Sequence, residues 1–107
     1  MPPTVGVGHL VLDRVRSEAR VDGATVELTA KEFDVLAFLA SNAGRLCTHQ
    51  MILSAVWGTT YVREAQYLHA YIHRLRQKVP DDAGVVIKSS PGIGYTLVAS
   101  DEAGGPI

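Results

Sequence analysis

The sequence predicts an α+β domain in which an N-terminal antiparallel sheet, three helices and a C-terminal β-hairpin follow one another along the chain. Three observations carry this reading. Short alternating or β-branched apolar stretches end at Leu28, apolar residues then recur at helical spacing between Phe33 and Val79, and two strand-like segments flank the glycine-rich turn before Tyr95. At 107 residues the chain makes one domain with a modest core.

Between Val5 and Leu28, Leu10 and Leu12 alternate with His9, Val11 and Asp13, then Ala19 to Val21 and Thr25 to Leu28 follow, with a turn at Asp22-Gly23. Three or four antiparallel strands fit. They carry no site chemistry, and His9 reads as an ordinary strand residue. The expected boundaries are an N-terminal extension at 1–7, the domain at 8–99 and a disordered tail at 100–107.

The first helix starts at a capping box, Thr29 with Glu32, braced by a hydrophobic staple of Leu28 and Phe33. Phe33, Leu36, Ala37 and Ala40 give its apolar face, and Asn42-Ala43-Gly44 stops it. Position at a helix start accounts for Glu32 and Asp34 better than catalysis does. After the extended link Arg45-Leu46-Cys47, Thr48 caps a second helix with Ile52, Leu53, Val56 and Trp57 apolar, and Gly58 ends it.

A loop at 59–62 leads to a longer helix over 64–79. Ala65, Leu68, Ile72, Leu75 and Val79 fall on one stripe, and at about 100° per residue Gln66, Ala70, His73 and Gln77 face the opposite way. Arg63 and Arg74 lie to one side of that face, which holds no carboxylate; Glu64 sits in the first turn, where the helix dipole favours it. Solvated faces usually mix acids with bases, so this face suggests an anionic partner. Two helices joined by a short loop, the second longer and more basic, make a helix-turn-helix. Pro80 stops the second of them. The polar loop Asp81-Asp82-Ala83-Gly84 follows, then Val85 to Lys88 as a strand, a turn from Ser89 to Gly94, and Tyr95 to Val98 as the returning strand. Gly92 and Gly94 permit positive φ and close backbone approach, and no helix follows that would make them a dinucleotide fingerprint. A hairpin after a helix-turn-helix is a wing.

The net charge of −1 is segregated: residues 1–42 carry four bases and six acids, residues 43–100 six bases and three acids. His49, His69 and His73 also lie in the basic part, and local field matters more than net charge for binding. No apolar run approaches a membrane span, no signal peptide is recognisable, and the single Cys47 excludes an internal disulfide. A reducing cytoplasm suits these features.

Several linked segments resemble the winged-helix effector domain of the OmpR/PhoB family of two-component response regulators. They are Leu28-Thr29-Ala30-Lys31-Glu32-Phe33, Ala55-Val56-Trp57-Gly58, Leu75-Arg76-Gln77-Lys78 and Gly92-Ile93-Gly94-Tyr95. Tyr67-Leu68 and Tyr71, with Leu75-Arg76-Gln77-Lys78 and Gly92-Ile93-Gly94-Tyr95, narrow the resemblance toward regulators of potassium-transport genes. The resemblance implies a winged helix-turn-helix in which the C-terminal hairpin pairs with a short strand at Leu46-Cys47. It also implies double-stranded DNA as partner, with two copies head-to-tail on tandem half-sites and RNA polymerase touched by loop 58–63. A phosphorylatable receiver domain would lie upstream; nothing in this sequence matches one, so a fragment of a longer regulator is expected, with a stand-alone protein as the alternative. At position 96, where many family members have a minor-groove arginine, this chain has Thr96.

The residues expected at base edges are Arg63, Gln66, Ala70, His73 and Arg74; amide and guanidinium groups make bidentate bonds to adenine and guanine. For Gln66 and Arg74 a plain solvated position is the alternative; Ala70 meets a thymine methyl or only fills a tight approach, and His73 and Arg63 reach bases or phosphates. Phosphate contacts are expected from Arg45, Thr48 and His49 at the start of the second helix, from Arg76, and from Lys88, Ser89 and Ser90, for which an exposed strand end is the alternative; the resemblance implies a further one from Trp57. For Trp57 a core position is the competing reading. His69 and His73 have metal-ligand spacing, but with only Cys47 and His49 to complete a set no metal or other cofactor is expected. No side chain has a base partner for catalysis, so no enzyme activity is expected. The competing function is a winged helix used for protein interaction or metal sensing.

Overall fold

The computed structural model describes residues 3–58 and 65–100. Its elements are β1 (Thr4–Val7), β2 (Leu10–Asp13), β3 (Glu18–Val21), β4 (Ala24–Val26), α1 (Ala30–Ser41), β5 (Cys47–Thr48), α2 (His49–Trp57), α3 (Ala65–Lys78), β6 (Val85–Ser90) and β7 (Gly94–Ala99). An antiparallel sheet in the order β1-β2-β3-β4 precedes the helices, and a second sheet, β5-β7-β6, closes the chain. The α+β winged helix-turn-helix expected from the sequence is therefore present.

The sheet begins earlier than residue 8. Val5 pairs with Leu12 and Val7 with Leu10, and both valines pack against the core, so Thr4–Val7 belongs to the domain and not to an extension. Glycines at 6 and 8 interrupt the alternation and hid this strand. At the other end Ser100 donates its amide to Gly84 O, which places residue 100 with the domain; residues 101–107 lie outside the described part. Asp22 and Gly23 both have positive φ, the signature of the two-residue hairpin turn between β3 and β4.

The capping box of α1 forms in both directions: Thr29 Oγ1 accepts from the Glu32 amide, and Glu32 Oε1 accepts from the Thr29 amide. Lys78 Nζ, from the far end of α3, donates to the same carboxylate at 2.6 Å. The Glu32 side chain is 1% exposed. Burial opposes its ionisation, but the hydrogen bond from Lys78, the Thr29 cap and the lysine charge outweigh it, and its pKa lies below the ordinary value. One carboxylate thus caps α1 and ties it to α3.

Leu36 and Leu39 from α1, Ile52 and Leu53 from α2, Leu68, Ile72 and Leu75 from α3, and Leu97 from β7 meet in the core with Leu10 and Leu12 of the first sheet. Cys47 is fully buried and its thiol pKa is raised by burial, while Leu46 is exposed. The short strand consequently runs over Cys47–Thr48, one residue later than Leu46-Cys47, pairing Cys47 with Tyr95 and Thr48 with Gly94. The segment 81–84 is more than a polar loop: Asp81–Ala83 forms a 3-10 turn, Ala83 is buried, and its carbonyl accepts from the His9 amide at 2.8 Å. The wing strands also extend two residues further into their turn than expected on β6 and one at each end on β7. Among the described residues no helix is long and apolar enough to cross a membrane.

Candidate nucleic-acid interface

Helix α3 sorts its side chains as the periodicity requires. Leu68, Ile72 and Leu75 are buried, whereas Gln66, Ala70, His73, Arg74 and Gln77 are exposed on the other side. The four expected base-edge residues that fall in the described part therefore share one open surface. Arg63, like most of the 58–63 loop, lies outside the described residues.

Each flank of α3 is braced by a different neighbour. On the wing side, one Arg76 guanidinium nitrogen donates to Ile87 O at 2.6 Å and to Ser89 Oγ at 2.7 Å, and the group lies 6.0 Å from the Tyr95 ring centre. His69 Nδ1 is hydrogen-bonded to the Tyr95 hydroxyl. His49, at the start of α2, packs against both rings, with centroid distances of 5.4 Å to His69 and 5.7 Å to Tyr95. His49, His69, His73, Arg76, Ser89 and Ser90 line a cleft of about 400 Å³ between α3 and the wing.

The cleft shifts two of its titratable groups. Burial, and then the neighbouring His69, lowers the pKa of His49; burial raises that of Tyr95 against the opposing influence of Arg76. His49 accordingly holds its neutral form to lower pH than a free imidazole does.

On the opposite flank, the Arg74 guanidinium sits 5.1 Å from the Tyr71 ring centre, and Tyr71 meets Trp57 edge-on at 5.0 Å. Lys31 Nζ lies 5.7 Å from the Trp57 ring centre and donates to Val56 O at 2.9 Å. Trp57 is half-buried, so it packs on the core as the competing reading has it while part of its surface stays open.

The remaining expected phosphate contacts scatter more. Thr48 is half-buried, and its Oγ1 accepts from the Met51 amide as the α2 cap; Arg45 is exposed before β5 and does not line the cleft. Lys88 and Ser89 are exposed on β6 and Ser90 is half-buried. Two of these side chains have internal work that sequence did not indicate: Arg76 fastens α3 to β6, and Ser89 is one of its acceptors. Tyr71, Tyr95 and Lys31 stood out in the sequence only as parts of the family motifs, not as site residues. Only Tyr71 left a local signal, standing three residues before Arg74 on the same helix. Among the described residues no group of three or more His, Cys, Asp or Glu side chains is placed to hold a metal ion.

A helix-turn-helix with a paired wing and an acid-free exposed helix face defines a winged-helix DNA-binding domain. Residues 23–97 match the family described as "Transcriptional regulatory protein, C terminal". The chain belongs to that family, the OmpR/PhoB-type effector domains of response regulators. Regulatory protein VanRB of Enterococcus faecalis is 38% identical over 94 residues, covering 88% of this chain and 41% of that protein. Transcriptional regulatory protein KdpE of Mycobacterium tuberculosis is 33% identical over 99 residues, covering 91% of this chain and 44% of that protein. The chain spans about two fifths of the length of such relatives. Among solved structures, the DNA-binding domain of CpxR from E. coli superposes with a TM-score of 0.82 at 34% identity, covering 92% of this chain and 99% of that one. The Klebsiella pneumoniae RstA DNA-binding domain in complex with the RstA box gives 0.78 at 30% identity, covering 91% and 98%. KdpE is no more similar than VanRB, so identity does not single out one of these relatives.

Proposed function

We propose that this domain reads duplex DNA by laying α3 in the major groove, with Gln66 and Arg74 on base edges, Ala70 against a thymine methyl and His73 beside them. The observation that carries it is the exposure of these four side chains together on a helix surface that has no carboxylate between Ala65 and Lys78. His49 and Ser90 line the cleft beside that surface and Trp57 packs on Tyr71 at its other flank; with Arg45, Thr48 and Lys88 they contact phosphates. Arg76 acts chiefly by holding the wing at the height where those contacts are made, with Ser89 as its acceptor. Thr96 pairs directly with Lys88 across the hairpin, so Lys88 supplies the positive charge that Thr96 lacks.

In a longer regulator, two copies occupy tandem half-sites head-to-tail, loop 58–63 meets RNA polymerase, and an upstream receiver controls the pair in the cytoplasm. Selection of duplexes from a random pool, followed by titration of selected and scrambled duplexes, tests the reading. About five phosphate contacts give log affinity a slope near −4 to −5 against log salt. Absence of binding to any duplex at low salt contradicts the proposal. Potassium-transport promoters in the same panel test that narrower assignment.

A further inference from the structure

The geometry points to Tyr71 as the residue that positions Arg74 for base discrimination, through a chain of cation–π and edge-on ring contacts running across all three helices. This rests on the reading that Arg74 meets a base edge. The order is Lys31 on α1, Trp57 at the end of α2, then Tyr71 and Arg74 on α3, with successive separations of 5.7, 5.0 and 5.1 Å.

An exposed arginine samples many rotamers and must lose that freedom to make a bidentate contact. Here the guanidinium already lies over a ring, where the quadrupole attracts it. The ring itself has little freedom: Tyr71 is half-buried, packs against the core, and meets Trp57 with an interplanar angle of 68°. Trp57 in turn lies under Lys31, whose ammonium is fixed on Val56 O. Tyr71 thus shapes which base is chosen by holding the Arg74 guanidinium in place. Tyr71→Leu keeps an apolar side chain on the core and removes the π face, whereas Tyr71→Phe keeps the face and removes only the hydroxyl.

The test measures affinity for the selected duplex and for one with a single guanine replaced, in the wild type, Tyr71→Leu, Tyr71→Phe, Arg74→Ala and Tyr71→Leu/Arg74→Ala. Proton NMR of the free proteins reads the ring-current displacement of the Arg74 side-chain signals. Tyr71→Leu should reduce discrimination by about 2- to 5-fold, the value of an exposed cation–π contact. It should leave the salt slope unchanged and abolish the displaced Arg74 signals, while Tyr71→Phe retains both properties. Once Arg74 is alanine, Tyr71→Leu should reduce discrimination no further. Equal weakening of every duplex by Tyr71→Leu, or additive effects in the double variant, overturns the positioning role while leaving the Arg74 contact standing. If Arg74→Ala leaves discrimination intact, the base contact itself is refuted, and the positioning role goes with it. Undisplaced Arg74 signals in the wild type overturn these contacts independently of DNA.

Discussion

Gly94→Ala probes how the wing is held, and its effect follows from distances alone. A Cβ built on Gly94 lies 2.0 Å from Cys47 O and 2.7 Å from Thr48 Cα, both backbone atoms of β5. Restoring ordinary contact requires the strands to part by about 1 Å or more, against a normal spacing of about 4.8 Å. Inserting a methyl into a packed interior costs about 1–3 kcal/mol, and each backbone hydrogen bond lost between β5 and β7 adds about 1 kcal/mol. The total is about 2–4 kcal/mol, which in a domain of this size lowers Tm by roughly 10 °C or more. Urea denaturation should show a lower midpoint with an unchanged slope. Gly92→Ala is the control: Gly92 has φ +76° but nothing within 4 Å, so the variant should be destabilised only by the backbone strain that alanine introduces, about 1 kcal/mol. A Gly94→Ala domain within about 0.5 kcal/mol of wild type would refute the close-approach account.

Three further outcomes are expected. Glu32 has a folded pKa below its ordinary value of 4.5, so its contribution is complete above that pH and disappears as pH falls through the lower folded value. Glu32→Gln should cost about 1–2 kcal/mol near neutrality, and its denaturation midpoints should converge on those of wild type in acid. For His49 the lowered pKa makes charging unfavourable in the folded state, so stability should fall as pH drops below about 6.5, and His49→Gln should flatten that part of a Tm-against-pH curve. Arg76→Ala removes both tethers to β6 and should weaken binding to all duplexes alike, whereas Ser89→Ala, leaving the Ile87 O bond, should have the smaller effect; equal behaviour of the two would contradict the tether.

What was legible in the sequence was local. The capping box needs two residues three apart, the α3 surface needs one helical period, and the roles of Gly92 and Gly94 follow from the lack of a side chain. The causes lie within a few residues of the effect, although the two glycines divide the work: Gly92 takes the positive φ and Gly94 the close approach. What was hidden depends on distant chain meeting: Lys78 reaches Glu32 from 46 positions away, and Lys31, Trp57 and Tyr71 come from three different helices. Arg76 illustrates the difference. Its place beside the buried stripe was visible, but its hydrogen bonds to Ile87 and Ser89 require the hairpin to fold back against α3. Boundaries failed where side chains gave weak alternation, as in β1 with its glycine and in a β5 of two residues.

Backbone amide and side-chain NMR during titration with the selected duplex tests most directly which surface meets DNA. The signals of Gln66, Ala70, His73 and Arg74 should shift or broaden first, with those of His49 and the β6–β7 turn, while the β1–β4 sheet stays unperturbed. Perturbation centred on that sheet, with the exposed side of α3 unchanged, would contradict the account.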